Sequence, residues 1–205
     1  MKNLLIFRNL GLEYYSKTIK KMYFFTKNRN YHTNDEIWFV QHPKVFTQGR
    51  SCNKNDNINY YSDIPIYKSN RGGKITYHGP GQQIIYFMID LRRFLIKIRT
   101  LLNILEKIII STLLDLKIIS NKSYDSPGIY VNKKKICFFG LQIINGCSLY
   151  GLSLNVCMDL KPFSYINPCG QINLKITQIK DFKKNIKIKY VQNLLLNKCL
   201  FFLKN

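Results

Sequence analysis

KICFFGLQIINGCSLYGLSLNV, residues 135–156, reads as two strands folded about Asn145-Gly146. Asn-Gly is the dipeptide favoured in two-residue type I′ hairpins, whose central residues both need positive φ. With those two as the loop, Ile144 faces Cys147, and counting outward sets Lys135 opposite Val156, with Cα atoms about 5 Å apart. The loop that follows, MDLKPFSYINPCG (158–170), therefore leaves the sheet beside Lys135, and it carries Cys169.

Strands and helices alternate around this hairpin. Periodicity predicts a short strand at Leu4–Phe7, a helix over Leu12–Thr26, and buried strands at Glu36–Val40 and Val45–Thr47, parted by His42-Pro43. Asn53–Ser62 is polar and predicts a loop, and Ile64–Lys68 predicts a strand leading into the glycine-rich RGGKITYHGPGQ (71–82). An apolar strand at Gln83–Leu91, a long helix over Phe94–Ile119, a strand at Gly128–Asn132 and a closing helix at about 188–203 follow. No internal repeat, Gly/Ser linker or composition shift divides the chain, so a single α/β domain over 1–205 is expected.

With 46% hydrophobic and 14% aromatic residues in 205, the chain supports a packed core and is unlike a charge-dominated disordered segment. The net charge is +21, from 32 basic and 11 acidic residues. Its lysines are scattered and accompany many Asn, Ile, Phe and Tyr residues, all with A/T-rich codons, so biased mutation explains much of the charge. Such a field steers acidic partners, but dispersed lysines without a recognition motif argue against a specific nucleic-acid partner. The longest apolar segment, residues 94–119, is interrupted by Lys97, Arg99, Glu106, Lys107 and Asp115 and does not read as a membrane span. The apolar run ahead of Arg8 in the start MKNLLIFRN is four residues, Leu4–Phe7, too short for a signal sequence. The six cysteines lack the paired short spacings of a zinc site, so free thiols, no metal and a cytoplasmic location are expected.

A cysteine in such a protein is most often a small buried hydrophobe. Cys169 departs from that pattern because Pro168 stiffens its approach and Gly170 allows backbone or substrate to come close. The thiolate is the nucleophilic form, so a displayed thiol needs a cationic neighbour. A lysine in the run Lys133–Lys135 is ordinarily solvent-facing; the hairpin register is what singles out Lys135. An ammonium there stabilises a thiolate, and the same amine can move protons to and from reacting groups. His78 is either a satisfied structural histidine or a hydrogen-bonding wall of a pocket. Gly72 and Gly73 do not complete a phosphate-binding motif.

In order and spacing, RGGKITYHGPGQ, SPGIYVNKKKICFFGLQI (126–143) and GLSLNVCMDLKPFSYINPCG (151–170) closely resemble the lipoyl(octanoyl) transferases of bacteria. DEIWFVQHPKVFTQG (35–49) is similar to that family's segment ahead of the glycine-rich loop, so the resemblance spans most of Leu4–Ile179. The resemblance implies the mixed-sheet α/β core of the biotin and lipoate protein ligase catalytic fold. It also implies an acyltransferase that moves an octanoyl group from octanoyl-acyl carrier protein to a specific lysine of lipoyl domains, such as those of 2-oxoacid dehydrogenases and the glycine cleavage H protein. Neither ATP nor a metal is implied. By motif match, Cys169 carries the acyl group as a thioester, and Lys135 favours its thiolate and handles protons. Arg71, Gly72, Gly73, Lys74, Ile75, Thr76, Tyr77 and His78 fall on the family's substrate-binding segments, as do Phe138, Phe139 and Gly140 and, further on, Gly151, Leu152 and Ser153.

Within that resemblance, Thr76, Tyr77 and His78 are expected to orient the thioester, and glycines 72, 73 and 79 to let backbone approach the acyl chain. Backbone N–H groups near Gly140 or Gly170 are candidates for holding the oxyanion. The chain departs from the family at Tyr150, where many members have histidine, at Ser153, where alanine is usual, and at Pro43-Lys44. The nearest alternative, an ATP-dependent lipoate or biotin protein ligase, does without a cysteine at the Pro-Cys-Gly position.

Overall fold

A computed structural model describes residues 5–52, 63–123 and 127–204. The loop expected at Asn53–Ser62, and Leu4 of the first expected strand, lie outside these residues. β1 (Leu5–Leu12) runs parallel to β2 (Asp35–Gln41), with α1 (Tyr15–Asn28) as the crossover. β3 (Val45–Gln48), β4 (Ile66–Lys68) and β5 (Ile75–His78) form a three-stranded sheet in which β3 lies between a parallel β4 and an antiparallel β5. There follow β6 (Gln82–Met88), α2 (Ile98–Asp115), β7 (Asn121–Lys122), β8 (Ile129–Val131), β9 (Lys134–Ile144), β10 (Cys147–Asn155) and α3 (Ile188–Lys204). The main sheet has seven strands in the order β1-β2-β6-β10-β9-β8-β7, antiparallel everywhere except β1 with β2. This is the mixed-sheet α/β architecture that was expected.

Side-chain alternation explains how both faces of the sheet are covered. Ile37 and Phe39 of β2 and Ile85 and Phe87 of β6 join α2 and α3 in one core; Trp38, Val40, Ile84, Tyr86 and Met88 join Met22 of α1 in another. Each such side chain contributes about 1.5–3 kcal/mol on full burial, and a one-residue slip would move every one of them to the wrong face. β10 breaks the alternation. Leu149 and Tyr150 both belong to the α1-side core, because Tyr150 adopts a φ of 63° that turns its ring to its neighbour's side. Leu152 and Leu154 then face α2 and α3.

The hairpin forms about Asn145 (φ 49°) and Gly146 (φ 76°) with Ile144 opposite Cys147, as the Asn-Gly signal predicts. Its ladder ends earlier than expected, at Cys137 opposite Leu154. The expected Lys135–Val156 pair does not form, because the N–H groups of Val156 and Cys157 donate to the Gly81 carbonyl and draw the chain away. Lys135 pairs instead with the returning chain: its N–H donates to Lys175 O at 2.8 Å, and its carbonyl accepts from Thr177 N at 3.0 Å. The segment carrying Cys169 is thereby fastened beside Lys135 by its C-terminal end.

Two helices differ from their predicted spans. Leu12 closes β1 rather than opening α1. The helix expected over Phe94–Ile119 is shortened to Ile98–Asp115 because Leu95 and Lys117 take left-handed φ values of 51° and 57°. At its C-terminal end, Ile118 N donates to Leu113 O and Lys117 N to Leu114 O, the bonding of a Schellman turn without its usual glycine. Among the described residues no helix is long and apolar enough to cross a membrane.

Candidate active site

Only the third lysine of Lys133–Lys135 points inward. Asn132 and Lys133 occupy the turn between β8 and β9 with φ values of 49° and 63°, Lys134 is exposed, and Lys135 is 1% exposed. Lys135 Nζ donates to the Pro127 carbonyl at 2.7 Å and to Cys169 Sγ at 3.3 Å. It lies 5.0 Å from the centroid of the Phe138 ring and 5.5 Å from that of Tyr130, so aromatic faces supplement those two acceptors. Cys169 is half-buried in a 3₁₀ turn, Pro168–Gly170, and has a left-handed φ of 58°. Such a conformation is costly for a residue with a Cβ, of order 1–2 kcal/mol, and here it belongs to the residue that presents the thiol.

Gly128, which the sequence reading did not single out, shapes the lysine's path. A Cβ at Gly128 would collide with Lys135 Cε, and would lie 2.9 Å from Nζ and 2.8 Å from the Cys137 carbonyl. A displacement of about 1 Å at a reacting group can cost about 100-fold in rate. Gly128→Ala is therefore expected to lower turnover at this site by about 10- to 100-fold while Cys169 remains in place. Steady-state rates measured alongside thermal melting would test this, and wild-type turnover in a folded variant would contradict it.

Cys169 opens into a cavity that is partly open to solvent. From the glycine-rich segment, Arg71, Gly73, Lys74, Ile75, Thr76 and His78 line it; β9 contributes Phe138, Phe139 and Gly140, and β10 contributes Gly151, Leu152 and Ser153. Gly72 lies instead on an adjoining cavity. Tyr77 points away from Thr76 and His78, because β5 is a strand with alternating sides, and its ring packs against Phe46 and Phe163. Gly79 serves that packing, since a Cβ there would collide with the Tyr77 ring. Tyr15, Ile84 and Tyr86 also wall the cavity, and nothing in the local sequence marked them for it; Tyr150, singled out only as a departure from the family, walls it too. Tyr150, at the position where histidine was expected, packs edge-on to Tyr23 and Tyr86.

A hydrogen-bond chain fixes the tautomer of His78. The Thr177 carbonyl can only accept, so it takes the Asn155 Nδ2 proton at 3.0 Å; Asn155 Oδ1 then accepts from Gln82 Nε2 at 2.9 Å. Gln82 Oε1 is left as the acceptor for His78 Nδ1–H at 2.7 Å. His78 Nε2 accordingly accepts from the Thr47 hydroxyl at 3.3 Å, while that hydroxyl accepts from Arg71 Nη2 at 2.8 Å. His78 is thus a wall of the cavity that orients Thr47 and Arg71, with both its nitrogens engaged. Burial, with His42 and Arg71 adding to it, pushes its pKa down to about 3.

His42 is held in the same way, with Nδ1 donating to the Glu13 carbonyl and Nε2 accepting from Tyr86, and burial lowers its pKa to about 4. Unfolded histidines titrate near 6.5, so below that pH the unfolded chain binds protons that the folded chain refuses. The stability contributed by both residues is fully present above pH 6.5 and is lost as the pH falls towards about 4 and about 3. Thermal melting should fall between pH 7 and pH 5, by about 1 kcal/mol per pH unit for each histidine. A flat profile over that range would show that the pair stays protonatable in the folded state.

Comparison with known proteins bears on this arrangement. Residues 14–200 match the family model of the lipoyl protein ligase A/B catalytic domain. An octanoyltransferase of Buchnera aphidicola subsp. Acyrthosiphon pisum is 50% identical over 203 residues, covering 99% of this chain and 96% of that one. The bipartite lipoate protein ligase of Thermoplasma acidophilum superimposes with a TM-score of 0.79 at 14% identity, covering 98% of this chain and 84% of that one. The biotin protein ligase of Aquifex aeolicus gives 0.57 at 14% identity, covering 100% and 69%. At such identities the two ligases establish a shared fold.

Proposed function

The chain belongs to the lipoyl protein ligase A/B catalytic domain family and carries out octanoyl transfer in protein lipoylation, and we propose that it does so in two steps through a thioester on Cys169. In the first step the Cys169 thiolate attacks the thioester carbonyl of octanoyl-acyl carrier protein. The new carbon–sulfur bond forms as the carrier's own breaks, and the departing carrier sulfur takes a proton from the Lys135 ammonium. In the second step the neutral amine of a lipoyl-domain lysine attacks the acyl-enzyme. Lys135, now an amine, accepts the proton, the amide is made, and Cys169 leaves as thiolate. The 3.3 Å contact between Lys135 Nζ and Cys169 Sγ, at the mouth of a cavity walled by Ile84, Phe139 and Leu152, is the observation that carries this reading.

The bond from Lys135 to the Pro127 carbonyl supports the same role, since it holds the amine in place whether or not it carries its extra proton. A ligase would activate a free acid with ATP and needs no thiol here, whereas this chain spends a strained backbone on one. None of the six cysteines is in a disulfide, which suits a reducing, cytoplasmic setting. The reading is tested by incubating the protein with octanoyl-acyl carrier protein without ATP and measuring its intact mass. An octanoyl adduct that maps to Cys169, is cleaved by hydroxylamine and passes to an added lipoyl domain is the expected result. Transfer that proceeds with no adduct, or only with ATP, would overturn it.

A further inference from the structure

Among the described residues, two cavities reach Cys169. The second holds about 1000 Å³ of empty space, open to solvent, and lies between the glycine-rich segment, β9 and the first turns of α2. Leu102, Pro127, Phe139 and Leu141 give it apolar walls, and Lys74 and Arg99 give it positive charge. Lys74 lines both cavities. Its stem runs over Gly170, where a Cβ would come within 2.8 Å of Lys74 Cε, so it crosses directly beside the nucleophile. Arg99 is exposed, lines the cavity, and makes no ion pair with any described residue.

A thioester donor brings two substituents to the attacked carbon, the acyl chain and the thiol arm, and around a tetrahedral centre they must leave in different directions. With the acyl chain in the first cavity, the arm has the second. Its two cations disfavour the approach of a cationic lysine and favour an arm that carries negative charge. Its apolar walls suit methyl and methylene groups.

Resting on the octanoyl-transfer reading above, we propose that this second cavity is the channel for the 4′-phosphopantetheine arm of the acyl donor. Arg99 holds the phosphodiester, and Lys74 lies along the arm near the sulfur. A charge-assisted bond of this kind accounts for about a tenfold or greater preference for the phosphorylated arm.

The experiment measures Cys169 acylation by intact mass under single-turnover conditions, using octanoyl-4′-phosphopantetheine and octanoyl-pantetheine as donors. The wild-type protein is expected to favour the phosphorylated donor about tenfold in kcat/KM. In Arg99→Ala that ratio is expected to fall towards one, and in Arg99→Glu to invert. A ratio unchanged in both variants overturns the proposal. So does an effect confined to the lipoyl domain's KM in the second step, which would assign the channel to the acceptor. If neither donor acylates Cys169 in the wild-type protein, the thioester reading itself fails, a result distinct from acylation that is indifferent to the phosphate.

Discussion

Cys169→Ala is expected to abolish octanoyl transfer, with a loss of at least about 10⁴-fold, because the proposed thioester forms on that sulfur and, of the side chains that line the cavity, Cys169 alone is a thiol held 3.3 Å from the Lys135 amine. The fold should survive unchanged. Alanine keeps a Cβ at the same left-handed φ of 58°, so the variant inherits the wild-type strain and loses only the sulfur. Cys169→Gly sharpens the result, since glycine adopts that conformation without penalty and offsets its greater freedom in the unfolded chain. Its melting temperature should match or slightly exceed that of the wild type while activity stays absent. Intact-mass acylation, transfer to a lipoyl domain and thermal melting of the three proteins together decide the matter. Residual transfer above about 1% in either variant would mean that the thiol is not the acyl carrier, and a large fall in melting temperature would mean that Cys169 is retained for packing.

What made the central hairpin legible was chemistry confined to two neighbouring residues. Asn145 and Gly146 both need positive φ, and the register then follows by counting. Where left-handed residues lack a glycine signal, as at Leu95 and Lys117, the ends of α2 were invisible. β5 was hidden for a different reason: it is four residues long and gains its strand character from pairing with β3, a contact that local periodicity does not encode. Tyr77 was expected beside Thr76 and His78 because the resemblance takes Arg71–His78 as one substrate-binding segment, whereas period-two alternation along β5 sends its ring to the opposite side. The pairing of Lys135 with Cys169 was reached by a count that the fold respects only as far as Cys137; the closing contact comes from residues 175–177 and from the bonds of Nζ to the Pro127 carbonyl and Cys169 Sγ. Tyr15, Tyr86 and Tyr150 reach the cavity from three separate elements, so only the tertiary fold could bring them there.

Replacing Lys135 separates its two assigned duties. Lys135→Met removes the charge and the proton donor together while keeping most of the side-chain volume, and is expected to slow octanoyl transfer by about 10²- to 10⁴-fold. Stability should change little. Freeing the fold from a buried ammonium, 1% exposed in the wild type, offsets the cost of leaving the Pro127 carbonyl without its donor. Lys135→Arg keeps a positive charge but cannot give up a proton at neutral pH. If the charge holds Cys169 as thiolate and the amine moves protons, the methionine variant loses both transfer and rapid alkylation of Cys169 by iodoacetamide at pH 7. The arginine variant, provided that its guanidinium reaches the sulfur, keeps the alkylation and loses the transfer. Equal alkylation rates in all three proteins would leave the thiolate without need of the lysine, and undiminished transfer in the arginine variant would show that no proton passes through residue 135.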